Sequence, residues 1–115
     1  MRALNFYSSV YHGILVCRNK SCTIRLGDKR DKYREGDLVW VTYGDRFKKR
    51  KKVFTAVIDR VEVKRLRELT REDLQGENPD MQRAEDALEL LRKIYERDIS
   101  LDDTVSVIYF SEVSD

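Results

Sequence analysis

Proline is nearly absent from this chain of 115 residues, and there are one histidine, two cysteines and five glycines. Each shortage excludes something. With one proline and no repeat or low-complexity tract, nothing marks a linker, so the chain reads as a single domain, 1–115, able to bury roughly two thirds of its unfolded surface without staples. Cys17 and Cys22 are too few for a disulfide framework and lack the second ligand pair of a structural zinc site, so no metal and no cofactor are expected. His12 has no triad partner. No apolar run approaches the roughly twenty residues of a membrane span, and the first residues lack the apolar stretch and cleavage site of a secretion signal. The expectation is an intracellular, cytoplasmic protein with no membrane partner.

Charge is what the chain has in quantity: 38% of residues are Asp, Glu, Lys or Arg, with a net charge of only +2. The balance hides an asymmetry. Residues 1–67 hold 18 Lys and Arg against 7 Asp and Glu, while residues 68–115 hold 5 against 14. Either a basic face awaits an anionic partner, or the two halves neutralise each other across the fold. Dense charge with few Asn and Gln also fits a thermophilic source.

Periodicity predicts α+β organisation. Ala3 to Phe6 reads as a first strand, and Ser8 or Ser9 caps a helix carrying Val10, Tyr11, Ile14 and Cys17 at helical steps. Gly36-Asp37 introduces Leu38 to Tyr43, apolar on both faces and therefore expected to be a central strand. Tyr33, Trp40 and Tyr43 are read as core or pocket wall. From Val53 a long strand keeps Val53, Val57, Val61 and Val63 on one parity, interrupted at Asp59, where a bulge or a polar contact is expected. Thr70 caps a short helix, with Asp73 returning the bond and Leu69 packing on Leu74. Gly76 is expected to end it. Asn78-Pro79 is expected to start the next helix, whose stripe is Met81, Ala84, Leu88, Leu91 and Tyr95. Thr104 to Phe110 closes the set.

The most informative stretch runs from Ile14 to Arg25, where an apolar helical run stops and Lys20, Thr23 and Arg25 follow closely. If Cys22, Ile24 and Leu26 form the buried face of a strand, Thr23 and Arg25 share the opposite face, with Lys20 just before it. An amine, a hydroxyl and a guanidinium then converge. Arg25 is suited to gripping a phosphate or base edge, or to pairing with Asp28.

Lys20-x-x-Thr23-x-Arg25 resembles the signature of the ASCH domain, a branch of the PUA-like superfamily tied to RNA and modified nucleosides. The likeness extends through Arg34-Glu35-Gly36-Asp37, Leu69-Thr70, Glu77-Asn78 and the closing strand. One departure is that Cys17-Arg18-Asn19 stands where members carry a glycine, although Asn19 can adopt the left-handed turn that glycine supplies. The resemblance implies a small mixed β-barrel flanked by helices. For members that act as small amidohydrolases on 4-acetylcytidine, it also implies a catalytic set of Lys20, Thr23 and Glu77. Read without it, Glu77 merely puts negative charge near the start of the helix expected at Asn78.

Arg46-Phe47-Lys48-Lys49-Arg50-Lys51-Lys52 is the densest positive run and falls in a hairpin. Its cations suit phosphates and Phe47 suits an exposed base; the alternative is a solvated tip that discourages edge pairing. Three functions therefore compete. The leading one is an RNA- or nucleotide-binding domain using Lys20, Thr23, Arg25 and the hairpin. The second is an amidohydrolase deacylating a modified cytidine, and the third an adaptor docking a protein through charge.

Overall fold

The computed structural model describes residues 1–6, 20–44 and 49–114. Five strands, β1 (Arg2–Phe6), β2 (Cys22–Leu26), β3 (Leu38–Tyr43), β4 (Lys51–Arg65) and β5 (Thr104–Glu112), form one sheet in the order β1-β3-β4-β5-β2. Only β1 and β3 run parallel; the other pairs are antiparallel. Helices α1 (Arg71–Glu77) and α2 (Ala84–Tyr95) lie between β4 and β5 in the chain. This is the expected α+β architecture, a mixed sheet curled into a half-barrel with helices beside it. The helix expected after Ser8, with His12, Cys17 and Asn19, lies outside the described residues.

The doubly buried strand is β5, not β3. Val105 to Phe110 are all buried, Val105, Val107 and Tyr109 packing with the helices while Ile108 and Phe110 join the cluster of Leu4, Val41 and Ile58. β3 alternates between exposed and buried from Leu38 to Val41, with Thr42 buried as well, because the described helices pack against the other part of the sheet. Val39 and Val41 are in the core, whereas Leu38 and Trp40 are 46% and 44% exposed. Tyr33 is buried and Tyr43 packs against the core, so Trp40 alone of those three departs from its expected place.

Asp59 does sit at an irregularity, since the β4–β5 register shifts between Ile58 and Arg60. Its carboxylate accepts a hydrogen bond from the Ser111 hydroxyl at 2.5 Å. The bulge also corrects the valine parity. Phe54, Ala56 and Ile58 are the core residues before it, Val53 and Val57 being half-buried, and Val61 packs against that core after it. One extra residue exchanges the faces of everything downstream.

Thr70 caps α1 as expected: its hydroxyl accepts from the Asp73 amide at 3.2 Å, and Asp73 Oδ2 accepts from the Thr70 amide at 2.9 Å. Gly76, however, lies within α1 rather than ending it. A Cβ there would fall 2.7 Å from Cys22 Sγ and 2.8 Å from Ser21 Oγ, so glycine allows α1 to lie directly on β2. Gly76→Ala should destabilise the protein despite alanine's helix propensity, worth about 1 kcal/mol, because overpacking typically costs about 1–3 kcal/mol and buried Cys22 cannot swing aside. Urea unfolding reads the sign, and a raised midpoint would contradict the close packing.

Asn78-Pro79 does not open a helix. Asn78 Oδ1 accepts from the Asp80 amide at 2.9 Å, and its carbonyl accepts from the Met81 amide, making a tight turn. α2 starts five residues later, where Asp86 accepts from the Gln82 and Arg83 amides. Met81 is thus a core residue from a loop, while Ala84, Leu88, Leu91 and Tyr95 remain on the helix.

Candidate functional site

The Lys20–Ser21 segment is clamped by backbone bonds on both sides. The Ser21 amide donates to the Gly76 carbonyl at 3.0 Å, and the Phe110 amide donates to the Ser21 carbonyl at 3.1 Å. This brings Lys20 to the carbonyl end of α1, where a cation is favoured. Its Nζ donates to the Glu77 backbone carbonyl at 2.6 Å and is in ion-pair contact with the Glu77 carboxylate. Both side chains are buried, at 0% and 3% exposure, so the pair forms away from water. The other carboxylate oxygen of Glu77 receives a long hydrogen bond, 3.5 Å, from the Ile24 amide of β2.

Glu77 is the last residue of α1, not the acid at the start of another helix. Negative charge is disfavoured at that end, which removes the electrostatic role read for it without the family resemblance. Lys20 is its counter-charge. Burial pulls the Lys20 ammonium well below the ordinary lysine value, opposed by Cys22 and reinforced by the neighbouring Arg25.

Thr23 and Arg25 share one face of β2 as the alternation requires, with Cys22 and Ile24 in the helix-side core. Arg25 Nε donates to Thr23 Oγ1 at 3.0 Å, and Nη2 donates to the Asn5 carbonyl at 2.9 Å. Because β1 and β2 are the two edges of the sheet, this side chain spans the opening of the half-barrel. Asn5 is itself held, accepting from Thr42 Oγ1 at 2.8 Å and donating to the Gly44 carbonyl. Asp28 is not the partner of Arg25; it chelates Arg30 instead. Lys20 and Arg25 both lie over the Phe6 ring, 5.1 and 5.0 Å from its centroid.

Lys20, Thr23, Arg25 and Glu77, spread over 57 positions, therefore gather around β2 and the end of α1. Asn5 and Phe6 complete the group, and sequence reasoning missed both. Only the parallel placement of β1 beside β3 brings them there, and no local motif announces it.

A second network positions Glu77 from behind. Asp73, one turn earlier on α1, accepts from the Tyr109 hydroxyl at 2.5 Å and from Lys64 Nζ at 2.9 Å, and its carbonyl accepts from Cys22 Sγ at 3.2 Å. Burial works against the charged Asp73, but the Tyr109, Thr70 and Lys64 bonds hold its carboxyl below the usual range. Burial pushes the Cys22 thiol up to about 12, leaving a packing residue rather than a nucleophile.

The basic run is only partly described. Lys49, Arg50, Lys51 and Lys52 are exposed at the start of β4, while Arg46, Phe47 and Lys48 lie outside the described residues. The other cations of the basic half behave differently: Arg60, Lys64 and Arg67 pair with Glu72, Asp73 and Asp102 of the acidic half. Neutralisation between halves thus accounts for the base of β4 and for Lys20. Among the described residues, Lys49 to Lys52 have no such partner.

No family model matches the sequence, and no curated protein matches it significantly. Solved structures do match its fold. An ASCH domain from Lactobacillus crispatus JV V101 superposes with a TM-score of 0.69 over 94% of this chain and 77% of that one, at 13% identity. Protein EF3133 from Enterococcus faecalis V583, with the family model DUF984, gives 0.69 over 98% and 80%, also at 13%. Hypothetical protein PH0355 gives 0.67 over 98% of this chain and all of its own, at 16%. The chain has the fold of the ASCH domain. Among the described residues no helix is long and apolar enough to cross a membrane.

Proposed function

We propose that this protein recognises a nucleoside or nucleotide unit of RNA at the opening of the half-barrel, beside Lys20, Thr23 and Arg25. The observation that carries the reading is Arg25, a part-buried guanidinium fixed at two points and laid over Phe6. A pre-set fork above an aromatic ring suits a base edge or a phosphate without further ordering cost. Lys20 and Glu77, being buried, line the floor rather than reach outward. Lys49 to Lys52, exposed at and just before the start of β4, supply long-range attraction to the phosphate backbone.

Salt dependence tests the hairpin's part. Affinity for a short single-stranded RNA should fall as salt rises, with a log–log slope near −0.7 per phosphate neutralised. Changing Lys48, Lys49, Lys51 and Lys52 to Gln should flatten it by up to about 2–3 units, and Phe47→Ala should weaken binding with the slope unchanged. An unaltered slope and affinity in the quadruple variant would make the hairpin a solvated loop.

One feature favours a second reading, amide hydrolysis of an acylated cytidine. A lysine whose proton affinity is lowered by burial, in contact with a carboxylate and three residues before a threonine, has the components of an activated nucleophile. In this reading Lys20 first yields a proton to the Glu77 carboxylate, and the Thr23 oxygen then bonds to the acyl carbon as its own proton passes to the Lys20 amine. The C–N bond then breaks, the exocyclic nitrogen takes a proton handled by Lys20 and Glu77, and water releases the acyl group from Thr23. The Arg25 N–H bond to Thr23 Oγ1 stabilises negative charge on that oxygen.

A further inference from the structure

Trp40 is the only tryptophan of the chain, and it stands on a strand, 44% exposed. Burying so large an apolar side chain is worth roughly 1.5–3 kcal/mol, so its exposure asks for an occupant. The surroundings specify one. Leu38 shares the outer face of β3 with Trp40, and pairing across the ladder sets the half-buried Thr55 opposite Trp40; past the register shift at Val41–Thr42, the exposed Lys52 lies opposite Thr42, which is itself buried and bonded to Asn5. Lys49, Arg50 and Lys51 continue the charge beyond Lys52. At the other end of β3, beside the exposed Leu38 and Met1, lies an open recess of about 250 Å³ lined by Met1, Arg2, Lys32, Asp37, Leu38 and Val39. One acid faces two bases there.

The face thus carries cations at both ends and an aromatic ring between them, over a span of about 13 Å from Leu38 to Thr42 at the usual rise per strand residue. Stacking rings flanked by cations are how single-stranded nucleic acid is held without sequence preference. A second copy of the chain is the poorer fit, since self-pairing would bring the two cation runs together. A lipid surface is also a poorer fit, because its binding scales with buried apolar area and this row is narrow.

We infer that the outer face of β3 and β4 is a docking track for single-stranded nucleic acid, with Trp40 stacking on a base and Lys49 to Lys52 and Arg2 or Lys32 taking phosphates on either side. The inference rests on the nucleic-acid reading above and narrows it. The ligand is a strand running over the outside of the sheet, not only the single unit held near Arg25.

The sole tryptophan makes the test direct. Its fluorescence is followed during titration with oligo-uridylate, oligo-thymidylate, the matching duplex, cytidine monophosphate and phosphatidylserine vesicles, and affinities are measured in parallel by anisotropy of a labelled oligonucleotide. Single strands should quench Trp40 saturably, duplex and mononucleotide much less. Trp40→Ala should weaken oligonucleotide binding roughly 5- to 150-fold without changing the salt slope, Trp40→Tyr should restore most of it, and Trp40→Leu should not. If oligonucleotides bind with salt-dependent affinity while Trp40 emission and the Trp40→Ala affinity stay unchanged, the track is refuted and the Arg25 site stands. Failure of every oligonucleotide to bind refutes the track, whatever cytidine monophosphate does at the Arg25 site. Emission that changes only with vesicles, or only with protein concentration alongside dimer formation in sedimentation, assigns the face to lipid or to self-association and overturns the inference.

Discussion

Glu77→Leu is expected to cost about 3–5 kcal/mol of stability, the range seen when one member of a buried ion pair is removed. The reason is Lys20, whose side chain is fully buried and whose carboxylate partner vanishes. The buried ammonium, its carboxylate lost, then sheds its proton or draws in water, and the contact between α1 and the start of β2 loosens. Lys20→Met with Glu77→Leu should recover most of that loss, because replacing both charges by packed apolar groups is often neutral or stabilising. Urea unfolding of the wild type, both single variants and the double completes the cycle, with an unchanged m-value showing that compactness is preserved. A single-variant cost under about 1 kcal/mol would mean that the pair is solvated rather than buried.

The second large effect belongs to the hydrolase reading. Lys20→Ala should lower turnover of 4-acetylcytidine by roughly two to four orders of magnitude, as expected for a lost proton acceptor. That variant also strands the Glu77 carboxylate, so Thr23 supplies the cleaner control. Thr23→Val keeps the shape of a buried side chain and should abolish turnover, whereas Thr23→Ser retains the hydroxyl and should keep activity within about tenfold. Absence of turnover by the wild type on any acylated nucleoside would remove this reading and leave the binding one in place.

Much of this arrangement was visible in local patterns. The Lys20-x-x-Thr23-x-Arg25 spacing gave the shared face of Thr23 and Arg25, since period-two alternation holds within one strand. Asp59 marked the bulge and Thr70 with Asp73 marked the cap of α1, each a short-range device with a short-range signature. What escaped was contextual. Asn78-Pro79 satisfies the chemistry of a helix start and of a turn equally, and the buried position of Met81 in the core accompanies the turn. Gly76 reads as a helix terminator until Cys22 is seen against it. Leu38 and Trp40 look like core residues because hydrophobicity alone does not reveal which face of a sheet the helices cover. Phe6 and Asn5 gain their roles through the parallel pairing of β1 with β3 and the approach of β2 from the opposite edge, neither encoded by any nearby spacing.

The capping network explains why the site is firm rather than merely assembled. Asp73 receives bonds from α1, β4 and β5 and, through its carbonyl, from β2, so the helix that ends in Glu77 is anchored to three strands. A buried pair at the end of such a helix holds its geometry before any ligand arrives, as the proposed recognition requires.

The most direct measurement is a titration of isotopically labelled protein with cytidine, 4-acetylcytidine and their 5′-monophosphates, followed by amide chemical shifts. The account predicts saturable shifts at Asn5, Phe6, Thr23, Ile24, Arg25 and Glu77, and their loss in Arg25→Ala with the rest of the spectrum preserved. Saturable binding confined to residues away from β1, β2 and the end of α1, or no saturable shift with any of the four compounds, would contradict it.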